Sequence, residues 1–372
     1  MKQNAFEAHV ISPLKDGAIK EKWRTLAANA LEPNPFYSPE FVEPYAKHLL
    51  SDETCVVVVT STDRQKALAA LPLRKMRSTL LFQTTQALAG QYGPLGTILL
   101  SKDGVSSEAL QKLIETACDL SPSNTLVIPF HPTHTKSLQL LEKALEDSPF
   151  TLNYQAEEER GYQDTTQSGH TTFHAGKNLK ARRKKLERLG ELHMQTYRQS
   201  DAILAHLPDF LDLEERSWKG LEGTALASQS HSRKFVEEFV EALTEANQIR
   251  IHTLVLDEMP IASMILLGAE SHQFAWKTAF DESYARYSPG RILLWLIAEQ
   301  NESNPQFRKM DSLASPENQM VNATLPDRMP YVQIAISKGP ISTVATSALQ
   351  QTDALKEHAK QTVKRLLGRK IS

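Results

Sequence analysis

The segment FAWKTAFDESYARYSPGR, Phe274 to Arg291, runs as a strand, a polar turn and a helix start, and a junction of that kind can hold an anion. Ser288 stands at the N-cap position. Pro289 then takes the first helical position, where a missing N–H costs nothing, and Gly290 lets a ligand approach the backbone amides closely. The positive end of the helix dipole and its unpaired N–H groups favour a phosphate or pyrophosphate there.

Other signatures of chemistry are missing. No GxSxG elbow occurs, so a hydrolase nucleophile of that type has no support. Gly169 and Gly176-Lys177 are separated by six residues where a phosphate loop has four, and Asn178 replaces its Ser or Thr. The pairs His170/His174 and His131/His134 lack an acidic or thiolate partner at metal-site spacing and read as satisfied surface histidines. Cys55 opens the apolar run CVVVVT and reads as a small core residue.

The elements that must position the junction repeat one order. The first half reads as strand Phe6 to Ile11, helices Ala18 to Ala28 and Pro39 to Leu50, and strands Cys55 to Thr60, Ala67 to Leu73 and Leu80 to Thr84. Helix Ser107 to Cys118, strand Thr125 to Phe130, helix Lys136 to Glu146 and strand Phe150 to Gln155 follow. The second half reads as strand Glu191 to Arg198, helices Asp201 to Trp218 and Ser232 to Ala246, and strands Ile249 to Leu256, Ile261 to Gly268 and His272 to Phe280. It closes with helix Gly290 to Asn301 and strands Phe307 to Leu313 and Tyr331 to Ser337. Strand, two helices, three-strand meander, helix, strand therefore occurs twice, an α/β (α+β) architecture of two similar domains without a residue-level repeat. The expected divisions are 1–160, a linker 161–190, 191–345 and a C-terminal helix 346–372.

Composition sets bounds but no chemistry. The chain has 372 residues, 41% hydrophobic and 23% charged, an ordinary globular balance with room for two cores. A formal net charge of −2 gives no whole-molecule attraction to nucleic acid or anionic membrane. Two cysteines, no signal-peptide pattern and no apolar run long enough to span a bilayer point to a reducing, cytoplasmic setting without a transmembrane segment. Lys177, Lys180, Arg182, Arg183, Lys184, Lys185 and Arg188 crowd one helix with a narrow stripe of Leu179, Leu186 and Leu189. Three readings stand: a solvated helix docked on a seam, a clamp for an anionic cofactor or substrate, or an RNA-binding surface. Aromatic residues do not interleave it, which disfavours RNA. The basic segment Ser347 to Arg369 reads as a packing helix or partner contact rather than a membrane anchor.

Several motifs resemble a known family. They are NPFYSPEFVEPY (Asn34 to Tyr45), KNLKARRKKLERLG (Lys177 to Gly190), LEERSWKGLEGTAL (Leu213 to Leu226), PIASMILL (Pro260 to Leu267), the segment Phe274 to Leu294, and MDSLASPEN (Met310 to Asn318). In this order they resemble the GNAT superfamily of N-acetyltransferases in its CelD-like branch, and more distantly the Fem-type aminoacyltransferases, which carry two such domains in tandem. The resemblance implies two tandem GNAT-like domains, each a mixed central sheet flanked by helices. It also implies acyl-CoA-dependent transfer to an amine of a small-molecule or envelope-related substrate; a Fem-like use of charged transfer RNA and a non-catalytic binding role are the alternatives. The pantetheine arm is expected along Ile261 to Leu267, with Ile265 beside it, and the pyrophosphate at the helix start, held by Arg286, Ser288, Gly290 and Arg291. Arg286 matches the first position of the superfamily's phosphate motif, whereas Pro289 and Arg291 occupy its two glycine positions.

A thioester is already activated, so such an enzyme must align the amine, take a proton and stabilise an oxyanion. Asp281, Glu282 and Asp311 lie at strand ends and are candidate bases; Asp281 equally suits a turn and Asp311 a buried hydrogen bond. Tyr284 and Tyr287 are candidate donors to the leaving thiolate. Lys219 and Lys277 suit phosphate or an acidic substrate, and Trp218 and Trp276 suit a pocket wall. In the first half, Gly90, Gly93, Pro94 and Gly96 mark the corresponding position without an arginine or a Ser-Pro-Gly cap, so that half is expected to complete the substrate cleft rather than bind a second cofactor.

Overall fold

The computed structural model describes residues 6–50, 54–63, 65–77, 83–167 and 175–339. The segment Ser347 to Arg369 and the pair His170/His174 lie outside the described residues. Two compact units emerge: residues 6–39, 54–157 and 331–339 form the first, and residues 40–50 and 158–330 the second.

In chain order the elements are β1 (Phe6–Ile11), α1 (Ala18–Ala28), α2 (Pro39–His48), β2 (Thr54–Ser61), β3 (Ala67–Arg77), β4 (Gln83–Ala87), β5 (Leu99–Leu100), α3 (Ser107–Asp119), β6 (Thr125–Pro132), α4 (Lys136–Leu145) and β7 (Phe150–Asp164). There follow α5 (Lys177–Leu186), β8 (Leu192–Tyr197), α6 (Ser200–Glu215), α7 (Trp218–Leu221), α8 (Ser230–Glu245), β9 (Ile249–Leu256), β10 (Met259–Leu267), β11 (His272–Phe280), α9 (Pro289–Glu302), β12 (Lys309–Asp311), α10 (Gln319–Asn322) and β13 (Asp327–Lys338).

The first unit orders its strands β1-β2-β3-β4-β6-β13, and the second orders its own β8-β9-β10-β11-β12-β7. In each order the fourth and fifth strands are parallel, β4 with β6 and β11 with β12, while the other neighbours are antiparallel. The expected duplication is therefore present in the pairing itself. What the sequence order hid is an exchange of pieces. The sixth strand of the first unit is β13, read from the sequence as the last strand of the second domain, and the sixth strand of the second is supplied by the end of β7. Helix α2 likewise counts with the second unit, where Phe41 packs edge-on against Phe235 and Phe239 of α8.

Within the first unit, the parallel pair is short, Thr85 and Gln86 against Leu126 and Val127. Beyond it Gly96 donates its N–H to Phe130 O at 2.9 Å, and a Cβ at Gly96 would stand 2.1 Å from Pro129 O. Helix α3 is capped by the Ser106 hydroxyl, which accepts from Ala109 N–H, and carries Glu108 in its first turn. A capped, acidic helix start disfavours an anion. His131, expected at the surface, is fully buried with Nδ1 2.9 Å from Pro132 O, and burial lowers its pKa. Burial also pushes the Cys118 thiol up to about 12 and raises Cys55, which leaves both unreactive.

The second unit has apolar layers on both faces of its sheet. On one, Ile292, Leu293 and Ile297 of α9 pack on Leu254, Leu256, Met264 and Leu266, joined by Leu179 and Leu186 of α5. Two of the three leucines of the expected stripe thus dock the basic helix, while Leu189 lies beyond its end and is exposed. On the other face lie α6 and α8, with Phe210, Phe235 and Phe239 buried.

Candidate active site

The site begins where two parallel strands part. Strand β11 pairs with β12 only over His272–Phe274 against Lys309–Asp311. There the second strand turns away: Asp311 Oδ1 accepts from Leu313 N–H at 2.9 Å, Leu313 takes a left-handed φ of 52°, and Ser312 N–H donates to Gly161 O. Ala275 to Phe280 consequently has no strand on that side, and the opening is a cavity of about 280 Å³ in the second unit. Trp276, Lys277, Thr278 and Phe280 of β11 line it, with Gly290, Arg291 and Leu294 of α9, Met264 of β10, the turn Ser312 to Ser315, and Trp218 and Lys219.

A β-bulge aims two of these side chains. Along the β10–β11 ladder Ile265 is opposite Lys277 but Leu266 is opposite Ala275, so Trp276 is the extra residue. Two consecutive side chains then share a face, as bulges beside sites commonly arrange. Trp276 packs edge-on to Phe239 of α8 at 5.1 Å, and the Lys277 ammonium lies 5.7 Å from the Trp276 ring centroid. Burial, then the positive charge of Lys219, outweighs the opposing pull of Glu214 and brings the Lys277 pKa down to about 8. A lysine so placed holds an appreciable neutral fraction near physiological pH.

The WKG element is the support of that arrangement. It forms the short helix α7, begun by Ser217, whose hydroxyl accepts from Lys219 N–H at 3.3 Å. Lys219 Nζ is 2.7 Å from Glu214 Oε1 and donates to Thr278 O at 2.8 Å, so it fastens α7 to the open edge of β11. Glu214 is 1% exposed and also accepts from Leu226 N–H at 2.9 Å. Gly220 is required by close approach, because a Cβ there would stand 1.8 Å from Glu215 O. Trp218 is 48% exposed and stands at the rim.

At the start of α9 the geometry departs from the expected cap. Ser288 is the N-cap residue, but it is left-handed at φ 57° and its hydroxyl caps nothing. Its carbonyl accepts from both Arg291 N–H and Ile292 N–H at 3.1 Å, and its hydroxyl accepts from Arg182 of α5. Gly290 faces Thr278 and Phe280, where an added Cβ would make ordinary contacts at 3.5 and 3.7 Å. Arg291 Nε donates to Thr324 Oγ1 at 3.0 Å, and burial, reinforced by the charge of Arg182, lowers its pKa. Among the described residues neither Arg182 nor Arg291 has a carboxylate partner. The neighbouring Arg183 lies over the Trp295 ring at 5.2 Å and pairs with Glu187.

The remaining expected site residues sit elsewhere. Asp311 is buried in an ion pair with Arg160, 2.7 Å away, and Arg160 is 1% exposed. Asp281 accepts from Ser283 N–H at 2.8 Å and begins a 3-10 turn, Glu282–Tyr287. Tyr284 packs half-buried against the core, and Arg286 is exposed over the Tyr287 ring at 4.7 Å. Ile265 is fully buried and absent from the cavity wall, which Met264 lines instead, because alternate side chains of a strand point to opposite faces. Arg182 belongs to a general basic run in the sequence, and nothing local marks its contact with Ser288. The turn Ser312 to Ser315 lay within the quoted motif MDSLASPEN without a role.

A mixed sheet whose parallel pair opens onto a helix start is the fold of acyl-group transferases of the GNAT type. Residues 174–318 match the family model described as an acetyltransferase (GNAT) domain. Among solved structures the chain is similar to a conserved protein of unknown function from Bacteroides thetaiotaomicron, 11% identical, with a TM-score of 0.56, covering 86% of this chain and 97% of that one. It is similar also to FemX, 9% identical, with a TM-score of 0.54, covering 88% of this chain and 97% of that one. At such identities the likeness concerns the fold. Among curated proteins nothing matches the chain. No helix among the described residues is long and apolar enough to cross a membrane.

Proposed function

We propose that the second unit transfers an acyl group from an acyl-CoA thioester to an amine. One observation carries this reading: Arg182, bonded to Ser288, and Arg291, which lines the opening beside the unpaired strand edge, meet at the start of α9 without a neutralising carboxylate among the described residues. Two like charges left together are a liability that a bound pyrophosphate removes. Gly290 permits close approach of the phosphate to the backbone, and Arg291 supplies the charge that the superfamily's glycine lacks. Met264, Phe280 and Leu294 offer an apolar wall to the pantetheine arm, and the free edge of β11 offers backbone groups to its amides.

The thioester supplies the activated carbonyl; the chain's own residues hold it and manage one proton. Asp311 is occupied by Arg160, Asp281 by its turn, and Glu282 is exposed on that turn outside the cavity wall, so the group suited to take the proton of the attacking amine is the neutral form of Lys277. Trp276 and Trp218 wall the cleft in which the amine lies. Calorimetry with acetyl-CoA and longer acyl-CoAs tests the reading. Saturable binding, lost in Gly290→Glu and weakened at least tenfold in Arg291→Ala, is expected. No heat with any acyl-CoA overturns it.

A second reading rests on the outer face of α5, where Lys177, Lys180, Lys184 and Lys185 are exposed with no acidic partner among the described residues. Such a face suits a polyanion, and charged transfer RNA is then the acyl donor. Replacing Lys180, Lys184 and Lys185 by Glu separates the two: this reading requires loss of transfer RNA retention, and the first requires unchanged acyl-CoA binding.

A further inference from the structure

A second pocket of the same unit, about 350 Å³, lies under α6 on the face of the sheet formed by β8, β9 and β10. On β9 and β10 that face is aliphatic apart from one row, while β8 contributes His193, Gln195 and Tyr197. Tyr197 stands opposite Ile251, which stands opposite Ile265, and both isoleucines are fully buried. Two residues along, Gln195 stands opposite Thr253, which stands opposite Ser263. Hydroxyls on a buried sheet face cost free energy unless they are partnered. Here Thr253 Oγ1 and Ser263 Oγ are 3.2 Å apart, and Ser263 donates to His252 O at 3.4 Å. The second hydrogen is used between the pair, which leaves Thr253 Oγ1 with lone pairs to offer in the floor of the pocket.

The wall adds an aromatic pair and two carboxylates. His206 is stacked on Tyr197 with ring centroids 3.8 Å apart, and its Nδ1 is 2.9 Å from Asp209 Oδ2, one turn along α6. The Tyr197 O–H donates to Gln195 Oε1 at 2.6 Å, so it is already used. Glu258 lies at the rim in the β9–β10 turn, left-handed at φ 66°, with no partner among the described residues. No lysine or arginine lines the pocket. It therefore holds two carboxylates, of which Asp209 is shared with His206 and Glu258 is unshared, a hydroxyl acceptor, a stacked aromatic pair, the buried side of Phe210 and a second histidine, His193, with no lysine or arginine.

We propose that this pocket binds a small organic cation, a primary ammonium or guanidinium group on an apolar or planar body. The N–H groups of the cation reach Asp209, Glu258 and Thr253 Oγ1, and its body lies against Tyr197, His206 and Phe210. The site is separate from the opening between β11 and β12, and no residue lines both. It does not depend on the acyl-CoA reading, because binding is measured with no acyl donor present.

The full chain is titrated calorimetrically with phenethylamine and agmatine, and with 2-phenylethanol as the uncharged counterpart. Saturable binding of the two amines and none of the alcohol is expected. Asp209→Asn and Glu258→Gln alter exposed side chains, and each weakens binding about tenfold. Thr253→Val removes the floor acceptor at nearly constant size and also weakens binding, while Arg291→Ala in the other cavity leaves it unchanged. Absence of saturable amine binding overturns the proposal. So does equal binding of the alcohol, binding indifferent to Asp209→Asn and Glu258→Gln, or binding abolished by Arg291→Ala.

Discussion

The Lys219 ammonium is 2.7 Å from the Glu214 carboxylate, and the same nitrogen donates to the Thr278 carbonyl at 2.8 Å. This pair ties the helix α7 to the strand edge on which the cavity is built, and its two charges act in opposite senses on Lys277, whose pKa is lowered first by burial and then by Lys219. Lys219→Met leaves Glu214 buried and unpaired. A loss of about 3 kcal/mol is expected, the low end for a broken buried pair because Lys219 is itself partly exposed. Urea unfolding measures it, and an unchanged midpoint contradicts the structural role.

Lys277 is expected to set the pH dependence of transfer. Its pKa is depressed from 10.5 to about 8, so the neutral amine is scarce at pH 6 and dominant above pH 8. The kcat should rise with pH and level off above about pH 8. Lys277→Met should lose about 10²-fold or more in kcat. Lys277→Arg, which cannot deprotonate, should lose as much while retaining acyl-CoA binding. A flat profile through pH 8 in the wild type removes Lys277 from that role.

Asp311 and Arg160 form the test of a structural carboxylate against a catalytic one. Either single change, Asp311→Leu or Arg160→Met, strands a buried charge and should cost about 3–5 kcal/mol. The double variant should recover most of that loss, and a double-mutant cycle reads the coupling. If Asp311→Asn keeps its stability and loses only turnover, the carboxylate acts in the chemistry.

Two glycines at the site should behave oppositely on replacement by alanine. At Gly220 a Cβ meets the Glu215 carbonyl oxygen at 1.8 Å, and backbone cannot easily move aside, so Gly220→Ala should destabilise the unit by about 2 kcal/mol or more. At Gly290 the same atom makes ordinary contacts, and in a helix alanine is the better former, so Gly290→Ala should be neutral to slightly stabilising. Thermal unfolding of the two variants distinguishes them.

The amino-acid pattern by itself determined the kinds of element, their order and their duplication, because helical and alternating periodicities are local and the segment order repeats. It also marked the Ser288-Pro289-Gly290 helix start and the WKG element, whose residue types are restricted by turn and close-contact sterics. Only the tertiary structure decided which strand closes each unit, since β7 and β13 find their partners across long stretches of chain to which no local preference points. It alone decided that Trp276 is a bulge residue and that Arg182 meets Ser288, because both depend on register and docking. The depressed pKa of Lys277 belongs to the same level: it follows from burial and from Lys219, fifty-eight positions earlier in the chain, brought close only by folding.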